Sequence, residues 1–275
     1  MRHGELKHIF DILERSFNQL NIDFYLIGAL ARQVWYEKGN MSFRTTKDVD
    51  YAVLVCNEDE YQRIRAYLID TEKFTPYRGN AFVLIAPDGT QVDILPFGEI
   101  EDDGSVTVNG QGMTSIRVDG LIDVYNNGIE DVEFETGHSF KVATLPAIAL
   151  LKFIAYDDRP EHRQKDATDI SNLVVHFFTL NDEMIYQHHN DLFDETKNIV
   201  FESIGPIVLG REMRKIASSN EGLVKRLNNI LEKHIQKEEN SAFVRLMVNP
   251  LNDDSTIESV VKALKDIYKG FNNSI

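Results

Sequence analysis

Asp48 and Asp50 stand one residue apart at the head of an apolar run, Val49-Asp50-Tyr51-Ala52-Val53-Leu54-Val55, and Asp93 interrupts a second, Gln91-Val92-Asp93-Ile94-Leu95-Pro96. Side chains alternate along a strand, so Asp48 and Asp50 project from one face while Val49, Tyr51 and Val53 project from the other. Carboxylates held that close repel each other unless a cation compensates them, and a divalent ion with oxygen ligands is the usual answer. If the Asp93 strand pairs beside the Asp50 strand, three carboxylates at one sheet edge can hold one or two Mg²⁺ (or Mn²⁺) ions against a nucleoside triphosphate. Asp93 is then also a candidate base for an attacking hydroxyl. Upstream, Leu26-Ile27-Gly28-Ala29 reads as a strand passing through small residues into a helix, where backbone N–H groups can approach an anion. Arg32, about one helical turn after Gly28, and Arg44, just before the aspartates, are placed to reach substrate phosphates; surface ion pairs are the alternative for both.

Periodicity supplies the elements that must position these groups. Apolar residues at helical spacing predict a helix over 5–20, and Asn21-Ile22-Asp23 breaks it into a strand over Phe24 to Ile27. A helix through Trp35, the Asp50 strand and a helix over 58–70 follow, with Trp35 and Tyr36 read as core. Ala81 to Ile85 and Gln91 to Leu95 form a hairpin about Pro87-Asp88-Gly89, which delivers Asp93. From 104 to 143, short β segments punctuated by Gly and Asn extend the sheet. Thr144-Leu145-Pro146 then starts an almost wholly helical stretch, with Thr144 as candidate cap. Pro160 begins a further helix, Asn181-Asp182 caps another, and Asp253-Asp254-Ser255 with Glu258 predicts a capping box. The fold expected is α+β, a mixed-sheet domain over 1–143 followed by a helical domain over 144–275.

A second constellation lies in the helical half. Lys152 and Arg159, seven apart, share a helix face, as do Lys165 with Asp169 and Asp166 with Asp169. Two basic groups facing one way can meet phosphate. Alternatively, Lys152 snorkels from an apolar helix and Arg159, Lys165, Asp166 and Asp169 form an ion-pair network between helices. His188-His189 invites a metal reading, but no Cys or acid stands at a ligand spacing that singles the pair out, and it reads as a solvated helix face.

Taken in order, a Gly followed by a small residue, a helix, an Asp-x-Asp strand and a later single-Asp strand resemble the nucleotidyltransferase superfamily with the DNA polymerase beta type of palm. Gly28-Ala29 to Arg44-x-Thr46-x-Asp48-x-Asp50 resembles the AbiEii-type toxin branch. Leu150 to Arg159, followed by Lys165-Asp166-Ala167-Thr168-Asp169, is similar to that branch's Lys-to-Arg helix and Lys-Asp-x-x-Asp helix. The resemblance covers roughly residues 1–180. It implies a palm over 1–143 and Mg²⁺-dependent transfer of an NMP from an NTP to an acceptor hydroxyl, on a tRNA end or a protein, with a cognate antitoxin as partner. It implies Asp48, Asp50 and Asp93 as metal-binding and catalytic residues, with Lys152 and Asp166 joining them in catalysis. Gly28, Ala29, Arg32, Arg44, Thr46, Lys152 and Arg159 would hold the nucleotide. The family usually has Gly or Ser where this chain has Ala29, so a hydroxyl that would meet the triphosphate is missing. Two other readings stand beside it. A small-molecule adenylyltransferase of the antibiotic-modifying kind uses the same palm with an acceptor pocket in its helical domain, and a nucleotide-binding module without turnover is kept open by Ala29.

Composition agrees with an intracellular enzyme. The 275 residues, 43% hydrophobic, suffice for one large or two modest cores, and the single cysteine, Cys56, cannot close an internal disulfide. Met1 to Leu13 carries charges throughout and lacks the apolar core of a signal peptide, and no apolar run approaches membrane-spanning length. The expected location is the cytoplasm, with no membrane partner. A net charge of −15, from 29 basic and 44 acidic residues, disfavours bulk nonspecific binding to nucleic acid, so any RNA contact has to be local.

Overall fold

A computed structural model describes residues 6–41, 49–248 and 255–273. It divides into two compact units, Met1–Thr144 and Leu145–Ile275.

The first unit opens with α1 (Lys7–Leu20), β1 (Phe24–Ile27), α2 (Gly28–Lys38), β2 (Val49–Leu54) and α3 (Glu58–Asp70). It continues through β3 (Thr75–Pro76), β4 (Val83–Ile85), β5 (Gln91–Phe97), β6 (Ser105–Thr107), β7 (Ser115–Arg117), α4 (Leu121–Asn127), β8 (Ile129–Glu133) and β9 (Ser139–Ala143). Seven strands form a mixed sheet in the order β3-β4-β5-β2-β1-β9-β8. β2 runs parallel to β5 and β1 parallel to β9, while the remaining pairs are antiparallel. The sheet extends beyond residue 104 only in part. β8 and β9 join it, whereas β6 and β7 pair with each other in a separate ribbon, and α4 is a helix that the sequence reading lacked. Its seven residues are too few to display a helical period.

Burial explains the central strands. Along β2, Val49, Tyr51 and Val53 are fully buried on one face, while on the other Asp50 is half-buried and Ala52 is buried. The buried side meets the apolar stripe of α1: Phe17 packs edge-on to Tyr51 at 5.8 Å between ring centroids and Phe10 to Phe140 at 5.2 Å. Such ring pairs add about 0.5–1.5 kcal/mol each beyond the area they bury. Polar ties then fix the strands flanking β1. Lys141 on β9 donates to both oxygens of Asp23 at 2.8 and 2.7 Å, and the Tyr125 hydroxyl of α4 donates to the same carboxylate. Trp35 Nε1 donates to the Ala143 carbonyl at 2.7 Å, and Tyr36 is buried, so both serve packing.

The second unit is helical: α5 (Leu145–Asp158), α6 (Gln164–Leu180), α7 (Asp182–His188), α8 (Phe201–Ala217), α9 (Glu221–Lys237), α10 (Ala242–Met247) and α11 (Ile257–Asn272). Two of its helix starts differ from expectation. Pro160 does not begin α6; it sits in a turn where the N–H groups of His162 and Arg163 both reach the Arg159 carbonyl, and the helix starts at Gln164. The capping box of α11 is made by Thr256 and Ser259, which exchange backbone-to-hydroxyl bonds at 2.9 and 3.1 Å, rather than by Ser255 and Glu258. Asp253 and Asp254 lie outside the described residues. No helix among the described residues is long and apolar enough to cross a membrane.

α8 and α11 cross at backbone contact. A Cβ on Gly210 would lie 2.0 Å from the Ile267 carbonyl oxygen, and one on Gly270 would lie 1.9 Å from that of Ile207. The two glycines thus admit each other's helix reciprocally. Gly210→Ala and Gly270→Ala should each cost about 1–3 kcal/mol or more through forced separation, read as a lowered urea midpoint.

His234 on α9 is buried, stacked on Phe243 at 4.5 Å, with Nδ1 2.9 Å from the Ser241 hydroxyl. Burial, reinforced by Lys233 and Lys237 against the opposing Asp157, pushes its pKa down from 6.5 to about 4. Between those values the unfolded chain binds the proton and the folded one does not, so stability falls as pH drops through that window. Urea unfolding at several pH values from neutral downward should show this loss, and His234→Gln should flatten it; an identical pH slope in the variant would assign the acid sensitivity to other groups.

Candidate functional site

β1 brings Ile27 opposite Asp50 in its antiparallel register with β2, and β2 brings Asp50 opposite Asp93 in its parallel register with β5. Residues opposed in register share a face, so the two aspartates are neighbours across the about 4.8 Å spacing of adjacent strands. Both are half-buried, flanked by buried Val49, Tyr51, Val92 and Ile94 that point the other way. Asp93 Oδ1 accepts from Gln91 Nε2 at 2.8 Å.

Gly28, the first residue of α2, has φ +70°, and a Cβ there would lie 2.2 Å from Asp50 Oδ2 and 2.8 Å from its Cγ. Glycine is therefore required twice over, by its left-handed backbone and by the carboxylate seated against it. The N-cap residue of α2, Ile27, offers no side-chain cap, and the first-turn N–H groups of Gly28 and the half-buried Ala29 lie at the helix start beside that carboxylate. An anion drawn to these donors and a cation drawn to the aspartates would meet here. The donors fit a hard divalent cation: carboxylate oxygens alone, with neither thiol nor imidazole. Among the described residues no cluster of three or more His, Cys, Asp or Glu forms. Asp48, which the sequence names as the remaining ligand, lies outside the described residues, as do Arg44 and Thr46.

Two residues that the sequence did not single out hold β5 from behind. The Tyr61 hydroxyl of α3 donates to the Ile94 carbonyl at 2.9 Å, one residue from Asp93, and the buried guanidinium of Arg65 lies 6.0 Å from the Tyr61 ring centre. Their i, i+4 spacing was the available signal, but a Tyr-Arg pair on a helix is too common to stand out. Arg32 is only 1% exposed, which removes the surface ion pair as its explanation and leaves a cation interred in α2.

In the helical unit, Lys152 Nζ of α5 lies 2.5 Å from Asp166 Oδ1 and 3.0 Å from Asp169 Oδ2 of α6. Both aspartates are buried, and Asp166 Oδ2 makes no hydrogen bond among the described residues. The inter-helix network thus contains the two aspartates, as the second reading held, with Lys152 itself as their cation. Lys165 is exposed at the start of α6. Arg159 follows the end of α5, where burial and then Arg163 push its guanidinium below the usual range against Asp158 and Glu161. The expected solvated pair His188-His189 is half right: His188 is exposed, but His189 is buried, with Nε2 2.9 Å from Glu212 and Nδ1 facing Arg211, which also grips Asp191 at 2.7 and 2.8 Å. Glu212 and Arg211 come from α8, too far along the chain for spacing to reveal them, and the nearby Asp191 pairs with Arg211.

Comparison with known proteins bears on this geometry. Residues 11–264 match the family described as Nucleotidyl transferase AbiEii toxin, Type IV TA system. No curated protein matches the chain. Among solved structures it is similar to an antigenic nucleotidyltransferase-like protein from Paracoccidioides brasiliensis, at 16% identity and TM-score 0.41 over 72% of this chain and 94% of that one. It is also similar to the antibiotic-resistance factor ANT(2'')-Ia, at 10% identity and TM-score 0.37 over 72% and 99%. A CCA-adding enzyme in complex with CTP aligns at 12% identity and TM-score 0.31 over 92% and 65%. With its family model spanning 11–264 of 275 residues, the chain belongs to the AbiEii toxin family and is a nucleotidyltransferase.

Proposed function

We propose that this nucleotidyltransferase works in the cytoplasm as a toxin of a toxin-antitoxin pair, moving an NMP from an NTP to a hydroxyl on a tRNA end or a protein in a Mg²⁺-dependent reaction. The observation that carries the metal reading is the register that sets Asp50 beside Asp93, with Asp50 Oδ2 lodged where a side chain on Gly28 would be. The nature of the acceptor and the antitoxin rest on the family alone.

In this reading Asp48, Asp50 and Asp93 would hold divalent ions, which when bound neutralise triphosphate charge and leaving-group charge. The N–H groups at Gly28 and Ala29 bind phosphate oxygens, with Thr46 and Arg44 adding donors and buried Arg32 adding fixed positive charge behind them. A carboxylate oxygen of Asp93 takes the proton of the acceptor hydroxyl as its oxygen attacks the α-phosphorus; the bond to the bridging oxygen breaks and pyrophosphate leaves. Lys152 and Arg159 bind phosphate. Asp166 acts through Lys152, whose ammonium it holds at 2.5 Å.

Purified protein incubated with each labelled NTP, Mg²⁺ and total tRNA, protein or small hydroxyl compounds tests this. Label on tRNA or protein is expected. Label on small compounds alone would make it an adenylyltransferase of the antibiotic-modifying kind, and NTP binding without transfer would make it a nucleotide-binding module.

Asp50→Asn, Asp93→Asn and Gly28→Ala should each abolish Mg²⁺-dependent NTP binding in calorimetry. The two Asn variants should keep or gain stability, because a crowded negative charge is gone. Unchanged Mg²⁺-dependent affinity in either would remove the aspartates from the metal site.

Lys152→Ala takes the cation from the buried Asp166 carboxylate and should cost about 3–5 kcal/mol of stability. As a phosphate ligand, Lys152 should also contribute roughly 1.5–3 kcal/mol to nucleotide affinity. Lost stability with unaltered NTP affinity in the folded variant would leave Lys152 a purely structural cation.

A further inference from the structure

We infer that the helical unit carries a docking surface for a basic protein partner, centred on the rings of Phe178, Tyr186, Phe193 and Phe201. The rings form one connected group: Phe178 packs on Tyr186 at 5.8 Å and on Phe201 at 4.7 Å, and Tyr186 stacks on Phe193 at 4.9 Å. Contact with one another does not remove them from water. Tyr186 and Phe201 are 53% and 56% exposed, and Val175, one turn before Phe178 on α6, and Val200 are 62% and 51% exposed. Among the described residues, four of the five large exposed apolar side chains therefore lie in this stretch, Tyr77 being the other. Scattered apolar side chains are ordinary on a surface, whereas a contiguous aromatic group marks a contact site.

The rim says what fits. Asp182, Glu183, Asp194, Glu195 and Glu202 are all exposed and neighbour the ring residues in sequence, and from Val175 to Ser203 the only Lys or Arg is Lys197. RNA bases could stack on the rings, but the phosphates would be driven onto those carboxylates. An anionic membrane meets the same field. A second copy docking through a two-fold axis would set one acidic rim against another, on a chain already at −15. A partner rich in Lys and Arg reverses every one of these terms. Its cations can lie over the outer ring faces of Tyr186 and Phe201, its charges pair around the rim, and an aliphatic side chain can seat among the rings.

A fluorescent helical peptide with Leu along one face and Lys along the other, and the same peptide with Glu in place of Lys, should be titrated into the full chain with anisotropy as readout. The Lys peptide should bind and the Glu peptide should not. Tyr186→Ser with Phe201→Ser should weaken binding by about tenfold or more. Glu183→Lys with Glu202→Lys should favour the Glu peptide instead. Sedimentation should find the wild type monomeric at the same concentrations, and calorimetric NTP binding should be the same in all variants. Absence of Lys-peptide binding overturns the proposal. Binding unaffected by loss of the rings does so as well, since it would report diffuse attraction to an acidic chain. Self-association that the ring variant abolishes would make the surface a homodimer seat and equally overturn it.

Discussion

The carboxylate of Asp50 occupies the space that any side chain on residue 28 would need. That contact joins three elements: the end of β1, the first turn of α2 and the strand β2. Because β2 is fixed to β1 on one side and to β5 on the other, the same placement determines where Asp93 stands. Two acids side by side with a helix N-terminus form a place of opposed charge, with donors for an anion beside acceptors for a cation. An NTP with its divalent ion presents the matching pair. The aromatic packing of α1 under Tyr51 and the Tyr61 bond to Ile94 matter for the same reason: they hold the far side of β2 and β5, where a shift by one residue would turn the acids into the core.

The helical unit handles buried charge differently. Lys152 faces two buried aspartates, and taking such charges out of water is costly even when they are paired. Asp166 Oδ2, which makes no hydrogen bond among the described residues, adds to that cost. A hydrophobic pair at these positions would be a cheaper way to join α5 to α6, so stability alone is a poor account of the constellation. His189 shows the contrasting arrangement, closed on itself by Glu212, Arg211 and Asp191.

Much of the sheet was legible in the sequence because its signals are local. β1 and α3 have the bounds that alternation and helical spacing gave, and the Pro87-Asp88-Gly89 hairpin forms, with Gly89 at φ +87°. The neighbouring of Asp50 and Asp93 was legible as well, since both interrupt apolar strands where an uncompensated charge is hard to keep. What escaped depended on competition or on distant contacts. Ser255 and Thr256 are both able caps, and only the hydroxyl of Ser259 decides between them. Pro160 suits a first helical turn in general, but here a turn onto the Arg159 carbonyl takes its place. Gly210 and Gly270 were not singled out in the sequence, because their role shows only when each admits the backbone of the other helix. The burial of His189 likewise arises from Arg211 and Glu212, more than twenty residues along the chain.

The reciprocal glycine crossing has a consequence for how the protein is made. While the chain emerges from a ribosome, β9 arrives early enough to take its place beside β1 and fill the sheet of the first unit. The second unit has no such early closure. The stripe of α8 that carries Gly210 is filled by the backbone of α11, so it stays uncovered until Ile257–Asn272 has left the exit tunnel. Nascent chains would thus pass through a long interval with a finished sheet and an open helical half, which is when chaperones would find most to hold and when premature release would leave a product unable to mature.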